Sequence, residues 1–290
     1  MGVIVTIVGI ALILLAVWDV FSTVFVPRGR GALSALVQRA VWRTVHQVAR
    51  VRPELLSVAG PLIMVAILAT WTVMLVVGWA LILWPQLPNA FLIASGLNAE
   101  KQQGFLDDLY LSMINISTLG YGDIVPRGHW MRITGPLEAI VGLALMTAAI
   151  SWILAIYPVL ARRQRLAHEV TLLREAEEVS GQQLLALDPG VSRQELADLT
   201  LHLIDVHSDL SEHAVTYYFR TRNPRVALPA VLPDLVRFAD EASAADAPPA
   251  LRFQGDMLRL AIEDVAAEIG PRFLGCPASP IDALCDAYAS

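Results

Sequence analysis

Lysine is all but missing from this chain: Lys101 stands alone against twenty arginines. Such a bias follows genome base composition and points to a GC-rich, bacterial source rather than to a chemical role. Cysteine is equally scarce, with Cys276 and Cys285 near the C-terminus and without ligand-like spacing. That excludes a disulfide framework or zinc site and leaves two free thiols. Positive charge is also short, since a net charge of −6 provides no basic face for a nucleic acid. No Gly-rich turn follows a strand pattern, so neither a dinucleotide-binding fold nor a phosphate loop is indicated. No nucleophile and base, and no metal motif, point to an enzyme.

What is present is apolar. Of 290 residues, 56% are hydrophobic and 17% charged, with a mean hydropathy of +0.56, well above a water-soluble domain. Three runs, 3 to 26, 60 to 84 and 134 to 158, reach the roughly 20 residues that a helix needs to cross a bilayer. The first lacks the basic n-region and small-residue cleavage site of a signal peptide and is too long for its apolar core. Between the second and third runs, Phe105 to Thr118 is too short and too polar to cross. A segment that enters and turns back is tolerated only where protein or water shields its backbone, so it is a pore candidate.

Arg28, Arg30, Arg39, Arg43, Arg50 and Arg52 lie in the first connection and Arg162, Arg163 and Arg165 follow the third run, whereas the loop from 85 to 104 carries Glu100 and Lys101. The positive-inside rule puts the arginines in the cytoplasm and the N-terminus and re-entrant loop outside, with Trp84 and Trp130 as interfacial anchors. The organisation expected is a transmembrane helix (1–26), an interfacial amphipathic helix (27–57), a pore domain (58–160) and a helical cytoplasmic domain (161–290). The fold class is an all-α, multi-pass protein of the cell membrane, with lipid as its surroundings.

Thr118-Leu119-Gly120-Tyr121-Gly122 differs at one position from the TVGYG loops whose backbone carbonyls replace the hydration shell of potassium. On these residues, and on the order outer helix, pore helix, filter, inner helix over 58 to 160, the chain resembles the potassium-channel family. The resemblance implies that carbonyls of Thr118, Leu119, Gly120 and Tyr121 line successive potassium sites, that Gly120 and Gly122 supply the backbone freedom, and that Asp123 stands at the outer mouth. Tyr121 would pack outward to hold the filter's diameter. One loop per chain implies a homotetramer, with potassium as the only bound ion and no other cofactor. Three positions depart from the pattern: Leu119 replaces valine, Ile114 stands where some members carry a glutamate, and Leu111 where an aromatic often braces the tyrosine.

Gly142, 24 residues after Thr118, matches the hinge glycine of similar inner helices; close helix packing is the alternative. Met146 and Ile150, one and two turns further, would line the pore and gate it by dewetting. Pro158 is expected to end or kink that helix. Glu138 either braces the pore helix or is a solvated interfacial carboxylate. Asp19 is costly in a span and is expected to pair with Arg28 or Arg30. No span carries the repeated arginines of a voltage sensor. Arg39, Arg43, His46 and Arg50 lie opposite an apolar face, as on a helix at the membrane surface with Trp42 as anchor.

The C-terminal part reads as helices over 161 to 187, 192 to 220, 228 to 244 and 250 to 269. Leu196, Leu199, Leu203, Val206, Leu210 and Tyr217 form a seam suited to assembly between subunits. His202, Asp205, Asp209, Glu212 and His213 share a neighbouring face: a solvated acidic face, or a sensor for protons or a soluble ligand. The readings in competition are a potassium-selective channel, a poorly selective cation channel, and a membrane scaffold without conduction.

Overall fold

The computed structural model describes residues 2–26, 28–29, 31–87, 89–94, 104–221 and 223–271. The expectations placed on Arg30, Glu100, Lys101, Cys276 and Cys285 lie outside the described residues. The order is α1 (Gly2–Val24), α2 (Ala32–Ala49), α3 (Ala59–Leu83), β1 (Phe91–Ile93), α4 (Phe105–Ile116), β2 (Ile124–Pro126), α5 (Met131–Ser180), α6 (Pro189–Glu212), α7 (Leu228–Ala242) and α8 (Pro249–Ile269). Among the described residues three helical stretches, Gly2–Val24, Glu54–Gln86 and Met131–Ser180, are long and apolar enough to cross a membrane. They coincide with the three apolar runs. The chain is thus a mostly helical membrane protein, and its contacts divide it into two units, residues 1–44 with 62–154, and 45–61 with 155–290.

In the first unit, Asp19 of α1 is buried and organises its surroundings. The N-cap position of α2 is Gly31, which has no side chain to satisfy the helix's first N–H groups. Asp19 does so from another helix: Leu33 N donates to Oδ1 at 2.9 Å and Ser34 N to Oδ2 at 3.1 Å. The Ser34 hydroxyl donates to the same carboxylate, and so does Trp71 Nε1 of α3 at 2.8 Å. A Cβ at residue 31 would lie 2.1 Å from Asp19 Oδ1, so only glycine fits. Of the two arginines expected to pair with Asp19, Arg30 lies outside the described residues and Arg28 is not among the partners of the carboxylate. A carboxylate facing a helix N-terminus already meets positive potential and aligned donors, and among the described residues no arginine reaches it. The Trp71 ring, fully buried, lies 5.8 Å from that of Trp152 on α5.

Two short strands add a feature that the helical reading omits. β1 and β2 pair antiparallel with Leu92 opposite Val125. Ala94 N donates to Asp123 O and Arg127 N to Ala90 O, each at 2.8 Å. Behind this ribbon Leu83, Phe91, Leu111, Ile114 and Ile124 form an apolar core. Strands of three residues leave no periodicity to read.

α5 continues past Pro158 to Ser180, so the proline does not end the helix, one of the two outcomes expected of it. Proline removes one hydrogen bond of the ladder, and the neighbouring bonds carry the helix on. In the second unit Leu166 and Val170 of α5 are buried, as are Leu196, Leu199, Leu203, Val206, Leu210 and Tyr217. That seam is consumed inside the chain's own bundle, where α6 packs along α8, rather than left for another subunit. Asp188 caps α6 by accepting from Gly190 N at 2.8 Å, with Pro189 in the first turn. α6 ends at Glu212, and Ala214–Tyr218 form a 3-10 turn in place of the helix expected to reach 220.

Replacing Asp19 by Ala leaves the α2 N–H groups and the Trp71 indole without their acceptor, at a cost of about 1–3 kcal/mol per orphaned group. Thermal unfolding in detergent should show a clear drop for Asp19→Ala and a smaller one for Asp19→Asn, which keeps one acceptor oxygen. An Asp19→Ala midpoint equal to wild type would contradict this assignment.

Candidate ion-conduction site

The re-entrant element begins at Gly104, whose N–H donates to Asp107 Oδ2 at 3.2 Å and so fixes the first turn of α4. The helix closes at Ile116. Beyond it the backbone remains tied to the last turn: Ser117 N donates to Met113 O at 3.1 Å, Thr118 N to Asn115 O at 2.9 Å and Leu119 N to Ile114 O at 2.9 Å. The next residues alternate in backbone hand. Thr118, Gly120 and Gly122 have φ of 59°, 51° and 76°, and Leu119 and Tyr121 are not in that region. A β-branched residue at positive φ is an outlier that surrounding structure must impose. Alternation of this kind also keeps successive carbonyls from pointing to opposite sides, as they would in a strand. Gly120 and Gly122 adopt it at no steric cost.

The outer end is held at Asp123. Its Oδ2 accepts from the Tyr110 hydroxyl at 2.7 Å and its Oδ1 from Ile124 N at 3.1 Å. The bond to Asp123, together with desolvation, pushes Tyr110 up to about 12, so the phenol stays a donor across the physiological range. Leu111 and Ile114, two of the three positions where the sequence departs from the pattern it resembles, both lie in the apolar core behind the ribbon. Bracing comes from Tyr110, one residue before Leu111. Leu119 and Tyr121 are exposed in the isolated chain.

The inner end is held by α5. Glu138 is fully buried, accepts from Asn115 Nδ2 at 3.1 Å and is hydrogen-bonded to the Ser112 hydroxyl, which also lies 2.9 Å from Val76 O of α3. Of the two readings for Glu138, the structure supports the brace. One turn on, a Cβ at Gly142 would meet Ile116 O at 2.4 Å, so the glycine lets α5 and the end of α4 touch backbone to backbone. Met146 and Ile150 lie one and two turns further along α5 and are exposed. Sequence reasoning missed Tyr110, Ser112 and Asn115 as partners. Their only signal was polarity within an otherwise apolar re-entrant segment.

The five residues of the C-terminal face do not converge. His202 Nδ1 lies 2.9 Å from Glu169 Oε2 of α5, while Asp209 takes both ends of the Arg162 fork, with Nε at 2.8 Å. Asp205 and Glu212 are exposed, and His213 receives the Thr216 N–H at 2.9 Å as α6 ends. Among the described residues no group of three or more His, Cys, Asp or Glu side chains is placed to share a metal ion.

With this geometry in place, residues 62–157 match the model of a family described as ion channel. That stretch is similar to an ion-channel domain, and the match covers less than half of the chain. The chain is also 23% identical over 153 residues to the uncharacterised membrane protein YdjJ of Bacillus subtilis (strain 168), a similarity covering 53% of this chain and 44% of that relative. The aligned part thus spans less than half of the relative's length. No solved structure matches.

Two outcomes are expected at this stretch. Gly142→Ala forces a methyl into a backbone contact and should cost about 1–3 kcal/mol, the range for overpacking, read as a lower melting midpoint. The Tyr110 bond stabilises fully below the unfolded tyrosine value of about 10 and is lost as pH rises through the raised value. Wild-type melting should therefore be flat in this respect from pH 7 to about 9.5 and fall above it. Tyr110→Phe should remove the alkaline component; an identical alkaline fall in both proteins would rule out this origin.

Proposed function

We propose that the chain is one subunit of a homotetrameric channel that conducts potassium passively across the cell membrane. The observation that carries this reading is the alternation of φ sign along Thr118 to Gly122, in a TLGYG sequence at the end of a re-entrant helix. A potassium ion leaves water at little cost only where oxygens replace its hydration shell. In this mechanism the carbonyls of Thr118, Leu119, Gly120 and Tyr121 from four chains form successive rings of oxygens. The Thr118 hydroxyl completes the innermost ring. Asp123, four times repeated, raises the local cation concentration at the outer mouth.

Gating is assigned to α5, where Met146 and Ile150 form an apolar constriction that dries when the helices approach. None of the apolar runs 3 to 26, 60 to 84 and 134 to 158 carries an arginine series, so the stimulus in this proposal is not voltage. The loop arginines orient the N-terminus outside and the C-terminal bundle in the cytoplasm.

Flux and reversal potentials of purified protein in liposomes, under opposed potassium and sodium gradients, test the proposal. A reversal potential that follows potassium, with block by barium, is expected. Gly122→Ala places a side chain at φ of 76°, which costs about 1–2 kcal/mol for an L-residue, and should abolish selectivity. Equal permeation of sodium and potassium would instead establish a poorly selective cation channel, and absence of barium-sensitive flux would favour a scaffold.

A further inference from the structure

The Ser112 hydroxyl has one proton and two oxygen neighbours that could take it. Its Oγ lies 2.9 Å from the carbonyl of Val76 on α3 and within hydrogen-bonding distance of Glu138 Oε1 on α5. The Val76 carbonyl can only accept. If Ser112 donates to Val76, an ionised Glu138 would face the hydroxyl lone pairs. If Ser112 donates to Glu138, the Val76 contact becomes one between two acceptors. Every contact is satisfied when Glu138 brings a proton of its own.

The surroundings agree with a neutral acid. Glu138 has no exposed surface, and among the described residues no arginine or histidine forms an ion pair with it. An unpaired carboxylate buried away from water is costly, whereas a carboxylic acid with both oxygens hydrogen-bonded avoids that cost. The second oxygen is indeed used, because Oε2 accepts from Asn115 Nδ2 at 3.1 Å.

We infer that Glu138 is a neutral carboxylic acid that donates to Ser112, accepts from Asn115, and thereby positions the filter entrance from the inner helix. The path to the filter is short. Asn115 is held by Glu138 through its side chain, and its backbone carbonyl accepts from Thr118 N at 2.9 Å. Thr118 is the first residue of the alternating stretch, at φ of 59°. Ser112 carries the same link to α3, so α3, α4 and α5 are joined through a single chain of hydrogen bonds. Glu138 is a positioning residue and touches no ion. Its effect on selectivity rests on the channel reading, while its protonation does not.

The test uses the full chain reconstituted in lipid, with Glu138→Gln, Glu138→Ala and wild type. Glutamine copies the neutral acid, its amide N–H replacing the acid O–H toward Ser112 and its carbonyl still facing Asn115. The wild-type minus Glu138→Gln infrared difference spectrum should contain the carbonyl band of a protonated carboxylic acid. Glu138→Gln should keep the potassium-to-sodium permeability ratio within about twofold, and Glu138→Ala should lower it by about tenfold or more, as expected for a buried donor and acceptor left unpaired. Melting midpoints should follow the same order. A difference spectrum without the acid band, or a Gln variant as impaired as Ala, would overturn the inference. The spectrum and the melting order are read without conduction, so a protein that passes no potassium would overturn the channel reading and leave this one decided by the other two readouts.

Discussion

A segment that enters a bilayer and returns is tolerated only where protein or water meets each polar group it carries down. α4 and the residues after it meet this demand with side chains from both flanking spans. Ser112 reaches the Val76 carbonyl of α3, Glu138 of α5 reaches Ser112 and Asn115, and Tyr110 closes the outer end on Asp123. Because Thr118 and Leu119 donate back into the last turn of α4, a displacement of α4 would move the stretch that begins at Thr118 with it. The uncommon backbone angles at Thr118, Gly120 and Gly122 are held between these two attachments.

The same requirement produces the Asp19 node. A carboxylate inside a span is tolerated here because its oxygens face the bare N-terminus of α2 and the indole N–H of Trp71. Glycine at residue 31 is needed for that approach, since a methyl there would overlap the carboxylate. The Trp71 ring in turn packs on Trp152, two residues past Ile150 on α5. Thus one buried acid ties α1, α2 and α3 together and, through Trp71, meets the helix assigned to gating. Ile114 of α4 lies in an apolar core, and the buried acid that meets α4 comes from α5.

In the second unit the lower part of α5 is bound by charge as well as by packing. Arg162 is forked onto Asp209, Arg163 donates to the carbonyls of Thr216 and Phe219, and Arg174 pairs with Asp234 at 3.1 Å. Acidic residues that look like one sensor face in the sequence are therefore divided, Asp209 tied to Arg162 and Asp205 and Glu212 left in solvent. Their periodicity reported a helix face correctly but carried no information about which neighbours face it.

The sequence by itself determined the elements whose signals are local. Three apolar runs set the spanning helices, Asp188 with Pro189 sets the start of α6, and two glycines in alternation permit the backbone seen after Thr118. These depend on transfer free energy, capping and steric freedom, all of which act within a few residues. Only the tertiary structure decided the partners of Asp19 and Glu138, which lie up to 52 residues away in the chain. It also decided that α5 continues through Pro158 and that residues 91–93 and 124–126 form a ribbon. Burial turns each of those polar groups from a cost into an attachment, and burial depends on which helices meet, a property that no local pattern in the sequence contains.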